Sequence, residues 1–163
     1  LQSGKELEAD IIITATGLDV ELFGGVDMVV DGEPVNLPDH YVYKGSMLSD
    51  VPNFNFAIGY TNSSWTLKID LVCQYMCRLI EQMDRSGANK CLAVGPSASM
   101  NTRPLLDFGA GYVTRAAHLF PKQGVGQPWE LTMTYWTDVK RLNEPVMDGI
   151  MKVSGSSRAV QKV

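Results

Sequence analysis

The chain has 163 residues, a formal charge of −4 at neutral pH, 45% hydrophobic residues and 20% charged residues. That balance excludes a disordered or fibrous polypeptide, and mild acidity without a face of adjacent Lys and Arg argues against a nucleic-acid footprint. The length suits one domain, no apolar run approaches the ~20 residues of a membrane span, and no signal-peptide pattern opens the sequence. Cys73, Cys77 and Cys91 are odd in number and sit among apolar residues, which points to reduced thiols and a cytoplasmic location rather than a disulfide framework. Cys73 and Cys77 share a helical face, but no His or third Cys lies near them, so no metal site is assigned.

In chain order, "LQSGKELEAD" reads as the close of a hairpin turning at Ser3-Gly4-Lys5, and a start at Leu1 rather than Met reads as a piece of a longer protein. The apolar run ending in Thr-Ala-Thr-Gly predicts a strand over 7–16, buried on both faces, whose carboxyl end meets something needing backbone room. Asp31-Gly32 predicts a β-hairpin over 26–37. Residues 41–49 read as irregular, and alternating Phe54, Phe56 and Ile58 predict a strand over 52–60. A long helix follows, with Asn62, Ser63 or Ser64 as its cap, an apolar series from Trp65 to Met83, and an end at Ser86-Gly87. Its apolar first half predicts a buried amino end. Residues 90–97 read as a short strand, 98–104 as a linker, 109–120 as a helix and 121–129 as a Gly/Pro-rich loop. Residues 130–143 fit both the strand and the helix period and are assigned as helix. The last ten residues are expected to be disordered.

The chemistry is concentrated in "FAIGYTNSSWTLKIDL", which combines strand, tight glycine turn and capped helix. A helix amino terminus presents unpaired N–H groups and partial positive charge, so it favours an anion or an electron-rich carbonyl. Gly59 permits close approach, while Thr61, Asn62, Ser63 and Ser64 add short polar groups; the plainer alternative is that these four only cap the helix. His40 and His118 have no Ser, Cys or carboxylate at a spacing that implies a triad. No Gly-x-Gly-x-x-Gly is present, so the sequence offers no phosphate-cradling turn of that kind.

Three ordered blocks carry a resemblance: "ADIIITATGLDV", "YKGSMLSDVPNFNFAIGYTNSSWTLKIDLVCQYMCRLI" and "RPLLDFGAGYVTRAAHLFPKQGVGQPWELTMTYW". Together they resemble the flavin-containing monooxygenase superfamily, in particular bacterial Baeyer–Villiger monooxygenases of the ethionamide-activating kind. The likeness implies an α/β chain that is the carboxyl-terminal part of a Rossmann-like FAD/NAD(P)-binding fold (strand, β-hairpin, strand, long helix) plus an irregular α+β extension. Residues 1–97 would close the FAD-binding domain, 98–153 would form the extension and 154–163 a tail. The cofactors implied are FAD and NADPH, and the implied reaction inserts oxygen from O2 into a ketone through a C4a-peroxyflavin, giving an ester or lactone. The same architecture oxygenating an amine or sulfide nitrogen or sulfur, or a non-enzymatic interaction module derived from the fold, are the alternatives. Ala15, Thr16 and Gly17 would lie flat beside the dinucleotide, and Thr61, Asn62, Ser63 and Trp65 would face the flavin ring. The family's glycine-rich motifs, its histidine-bearing fingerprint and its peroxide-stabilising arginine are absent from these residues, so no catalytic residue is assigned. The chain alone is expected to be inactive and to self-associate through unpaired apolar surface.

Overall fold

The computed structural model describes residues 1–97 and 100–155. Its centre is a hairpin that reads as irregular in the sequence. β3 (Val42–Tyr43) pairs antiparallel with β4 (Met47–Leu48), following a smaller hairpin of β1 (Val29–Val30) with β2 (Glu33–Pro34). In the first, Asp31 and Gly32 both take positive φ (52° and 90°), the geometry of a tight two-residue hairpin turn, so the hairpin expected over 26–37 forms in its middle. In the second, the turn passes through Lys44 and Gly45, at φ 48° and 71°. A side chain at Gly45 would strike Leu131 Cδ1 at 2.8 Å, so glycine answers both the backbone and the packing there.

The central hairpin escapes sequence patterning because both of its faces are buried. Successive strand side chains point to opposite faces. Val42 and Leu48 enter a cluster with Val51, Phe56, Ile58, Leu105 and Phe120, while Tyr43 and Met47 enter another with Leu71, Tyr75, Trp129 and Met151. With apolar contacts on each side there is no polar alternation to read. Both clusters draw on residues before and after position 97.

α1 (Trp65–Ser86) has the expected length and ending. Lys68, Leu71, Val72, Tyr75 and Leu79 form its buried face at helical spacing. Gly87, at φ 64°, closes it: its N–H donates to the Asp84 carbonyl and the next N–H, of Ala88, to that of Met83. That pair of bonds satisfies the last carbonyls and reverses the chain. The amino end differs from expectation. Residues 61–67 are exposed, and no side chain caps the first turn.

β5 (Lys90–Ala93) forms where expected and pairs antiparallel with β8 (Met151–Ser154), which reaches the first residue of the tail expected to be disordered; residues 156–163 of that tail lie outside the described residues. β6 (Thr102–Pro104) pairs with β7 (Lys122–Gly124), so the expected linker and loop become a ladder, with linker residues 98–99 outside the described residues. α2 (Gly111–Ala116), extended by a 3-10 turn at Ala117–Leu119, matches the helix expected over 109–120. α3 (Tyr135–Leu142) occupies only the second half of 130–143. Leu131 lies in the extended stretch before it, so each of the two competing periods describes one half.

Isolated bridges string the ladders together. Tyr41–Lys122 joins β7 to β3, and Ser49–Ala93 joins β4 to β5, both in parallel sense. Among the described residues the result is a mixed α/β arrangement of four two-stranded ladders and three α-helices.

Two strand expectations are corrected. Residues 52–60 keep their buried Phe56, Ile58 and Tyr60, but they open in a turn, with Asn53 at φ 57°, and their only bridge is Asn55–Met47, so the segment is irregular and not a strand. Residues 7–16 form no strand, and Ile11, Ile12 and Ile13 are 80–85% exposed. β-structure needs a neighbouring edge to pair its N–H and C=O groups, and no described segment supplies one here. The Ser3-Gly4 turn does form, with the Gly4 N–H donating to the Leu1 carbonyl at 2.9 Å, but no ladder follows it.

Candidate functional site

Tyr60 ends the segment 52–60 and the chain turns through Thr61–Ser64 into α1. Gly59 makes that corner possible. A Cβ there would lie 2.3 Å from Trp65 Cγ and 2.7 Å from Trp65 Cα, so the indole and the first helical residue rest directly on bare backbone. Ser64 spends its hydroxyl on Thr66 Oγ1 at 3.0 Å instead of capping. The first N–H groups of a 22-residue helix therefore face outward without a side-chain partner, where the helix dipole adds partial positive charge. Asn62 is turned back, its amide donating to the Met133 carbonyl at 3.3 Å, and Thr61 Oγ1 lies 3.8 Å from Met133 Sδ. Ser63 is exposed.

Beneath the corner lies a charged cluster with no place in the sequence reading. Lys68, in the first turn and a half of α1, is 3.0 Å from Asp138 Oδ2 of α3 and donates to the Thr132 carbonyl at 2.6 Å. The side chains of the pair are 1% and 2% exposed. Tyr60 donates to the same Asp138 oxygen at 2.8 Å, and the Thr132 hydroxyl to the other. Arg141 donates to the carbonyls of Glu130 and Pro128. Burial pulls the Lys68 ammonium below the ordinary lysine range, with Asp138 opposing the shift; burial and then Asp138 push the Tyr60 hydroxyl up. One carboxylate thus ties both ends of the corner to α3 and the 130–134 segment. The legible signals were a lysine on the buried stripe of α1 and an aspartate in step with Leu131, Tyr135 and Leu142.

A second cluster fixes the central hairpin. Lys44 Nζ sits 3.4 Å from Asp148 Oδ2 and 5.1 Å from the Tyr75 ring, buried, with an ion pair but no hydrogen-bond geometry. Tyr43 donates to Asp148 Oδ2 at 2.6 Å. Burial pushes the Tyr75 hydroxyl up to about 12. Burial acts to raise the Asp148 carboxyl, yet the hydrogen bonds from Tyr43 and the Met151 N–H outweigh it and hold the group below its ordinary value.

Of the sequence candidates, Thr61, Asn62, Ser63 and Trp65 share the one corner. Ala15, Thr16 and Gly17 do not join them: they lie in the exposed segment 1–19, whose tether to the core is the Arg115 guanidinium on the Leu18 carbonyl at 3.4 Å. A few residues on, Val20 and Leu22 do reach the corner, lining a cleft with Thr61 and Trp65. His40 Nδ1 is engaged by the Ser49 carbonyl and His118 Nδ1 by that of Arg115. Among the described residues no group of three or more His, Cys, Asp or Glu could hold a metal ion. Cys73 and Cys77 are exposed, unlike the apolar setting their neighbours suggest, and Cys91 is buried.

The chain is 46% identical over 154 residues to an Acinetobacter protein described as "Probable FAD-binding monooxygenase AlmA" and 45% identical over 148 residues to the FAD-containing monooxygenase EthA of Mycobacterium tuberculosis. These alignments cover 93% and 91% of the chain. It is a homologue of FAD-containing monooxygenases. The EthA of Mycolicibacterium smegmatis is 44% identical over the same share. The chain spans 31%, 30% and 30% of the lengths of these three relatives. No family model and no solved structure matches it.

Proposed function

We propose that this chain is the carboxyl-terminal part of an FAD- and NADPH-dependent monooxygenase that inserts oxygen from O2 into ketones. Residues 1–97 complete a Rossmann-like flavin domain and 98–153 extend it. The similarity to proteins named FAD-containing monooxygenases, sustained over more than nine-tenths of the chain, carries this reading. The chemistry of the corner fits the group: an exposed, uncapped helix amino end offers N–H donors and partial positive charge to an electron-rich ring carbonyl.

In that arrangement FAD supplies the redox chemistry, and the chain's residues bind and orient. The first N–H groups of α1, with Thr61, Asn62 and Ser63, would hold the polar edge of the flavin ring. Trp65, seated on Gly59, forms an apolar wall that limits water. Ala15, Thr16 and Gly17, with small or absent side chains, would let backbone pass close to a dinucleotide. Lys68 and Asp138 touch none of these groups; they fix the helix end that does. The three cysteines carry no disulfide, and on that ground we place the protein in the cytoplasm, where thiols stay reduced. No helix of the described residues is long and apolar enough to cross a membrane.

The complete protein containing this chain, purified and given NADPH and a cyclic ketone under oxygen, is expected to be yellow and to form the lactone with matching NADPH consumption. A colourless protein, or a flavoprotein that oxidises only amines or sulfides, would contradict the ketone reading.

A further inference from the structure

Next to the corner lies a cleft of about 430 Å³, lined by Val20, Leu22 and Phe23 on one side, by Phe108 and Tyr112 on the other, and by Ile58 between them in sequence. No charged side chain lines it; Thr61, Trp65 and Tyr112 contribute its only polar side-chain atoms. Phe108 and Trp65 stand at its mouth, 37% and 50% exposed. One wall is braced at a cost. Phe23 takes φ 54°, a left-handed conformation rare for a bulky residue, and is held by edge and tilted contacts with Phe54 and Phe56 at 5.2 and 5.0 Å.

Thr61 also lines a second cleft of about 320 Å³. That one is polar, with Arg103, Asp107, Glu130 and three further threonines. Arg103 is already paired with Glu130, so Asp107 leaves this neighbour without spare positive charge for an anionic head. The apolar compartment is within the size range of small-molecule pockets, and its lining penalises any charge brought into it.

We propose that the cleft bounded by Phe23, Ile58, Trp65, Phe108 and Tyr112 binds an uncharged organic molecule, its aromatic or alkyl body inside and a hydrogen-bond acceptor toward Thr61. Under the proposed function it is the compartment for the organic substrate, with Phe23, Phe108 and Tyr112 setting which bodies fit. That assignment rests on the monooxygenase reading; the binding itself does not.

The test uses the full 163-residue chain and two fluorescent probes that share one ring system: uncharged N-phenylnaphthylamine and anionic anilinonaphthalene sulfonate. The uncharged probe is expected to bind saturably, one per chain, and the anion at least about tenfold more weakly, a difference of about 1.4 kcal/mol. Ala57 lines the cleft and is exposed, so Ala57→Glu adds a charge there without burying it on folding. It should cut affinity for the uncharged probe by at least about tenfold. Ile12→Asp, in the exposed apolar segment, should leave that affinity unchanged. Equal binding of the two probes, insensitivity to Ala57→Glu, or loss on Ile12→Asp would each overturn the proposal. Competitive displacement by lumiflavin would assign the cleft to the flavin ring and overturn it as well. A complete protein without flavin would sink the monooxygenase reading while leaving these probe results intact.

Discussion

At the scale of single residues, the fold depends on charge placed where apolar side chains usually go. Lys68 and Asp138 are both buried, and each is satisfied by several partners. Removing one member of such a pair strands the other without water. Lys68→Met is therefore expected to cost about 3–5 kcal/mol in chemical denaturation, while Lys68→Met with Asp138→Asn costs clearly less than the sum of the single changes. Additive losses would mean the two residues do not interact. Asp148 gives the pH dependence. Its folded carboxyl is held below the ordinary 3.8, so its contribution is complete above that value and lost as pH falls through the folded value. Below about pH 4 the unfolded chain binds the proton first, and stability drops. Asp148→Asn should flatten this acid limb in pH-dependent melting, and an unchanged limb would remove Asp148 from it. Sequence alone exposed these residues only as misfits within apolar periods. Their partners are carbonyls, hydroxyls and carboxylates up to 105 positions away, which no local pattern encodes.

At the scale of elements, legibility followed how one-sided the burial is. α1 was readable in its length and its end, because apolar residues recur at helical spacing and its terminating glycine obeys a local rule. Its buried face, however, runs through Lys68, Leu71 and Tyr75 and leaves Trp65 and Ile80 half exposed. At φ 64°, Gly87→Ala should cost about 1–2 kcal/mol, read from the melting midpoint of the chain. An unchanged midpoint would show that the left-handed turn is not needed. The central hairpin was missed because both faces are buried, and 130–143 was half right because an extended stretch and a helix follow one another without a break. The candidate corner was legible as strand, glycine, polar turn and helix, but its exposure was not: Trp65 and Leu67 look like core residues and are only partly covered. The Thr-Ala-Thr-Gly segment has a strand's composition without a strand's neighbour.

At the scale of the whole molecule, the exposed Ile11–Ile13 run is the least satisfied surface. Contiguous apolar residues with unpaired backbone favour pairing with another copy. At micromolar concentration the chain is expected to sediment as dimers or larger species, and Ile12→Asp should shift it toward monomer; a monomeric parent chain would remove this expectation. The same surface is where more of the protein would pack if the chain completes a larger flavin domain. The most direct measurement of that central claim is the flavin affinity of the complete protein with the α1 corner altered. Wild type should carry close to one FAD per chain, and Asn62→Leu should weaken FAD binding at least about tenfold with little change in melting midpoint. Trp136→Ala, on exposed α3 surface, should leave it unchanged. A protein that holds FAD equally well with Asn62→Leu, or holds none at all, would contradict a flavin seated at this helix end.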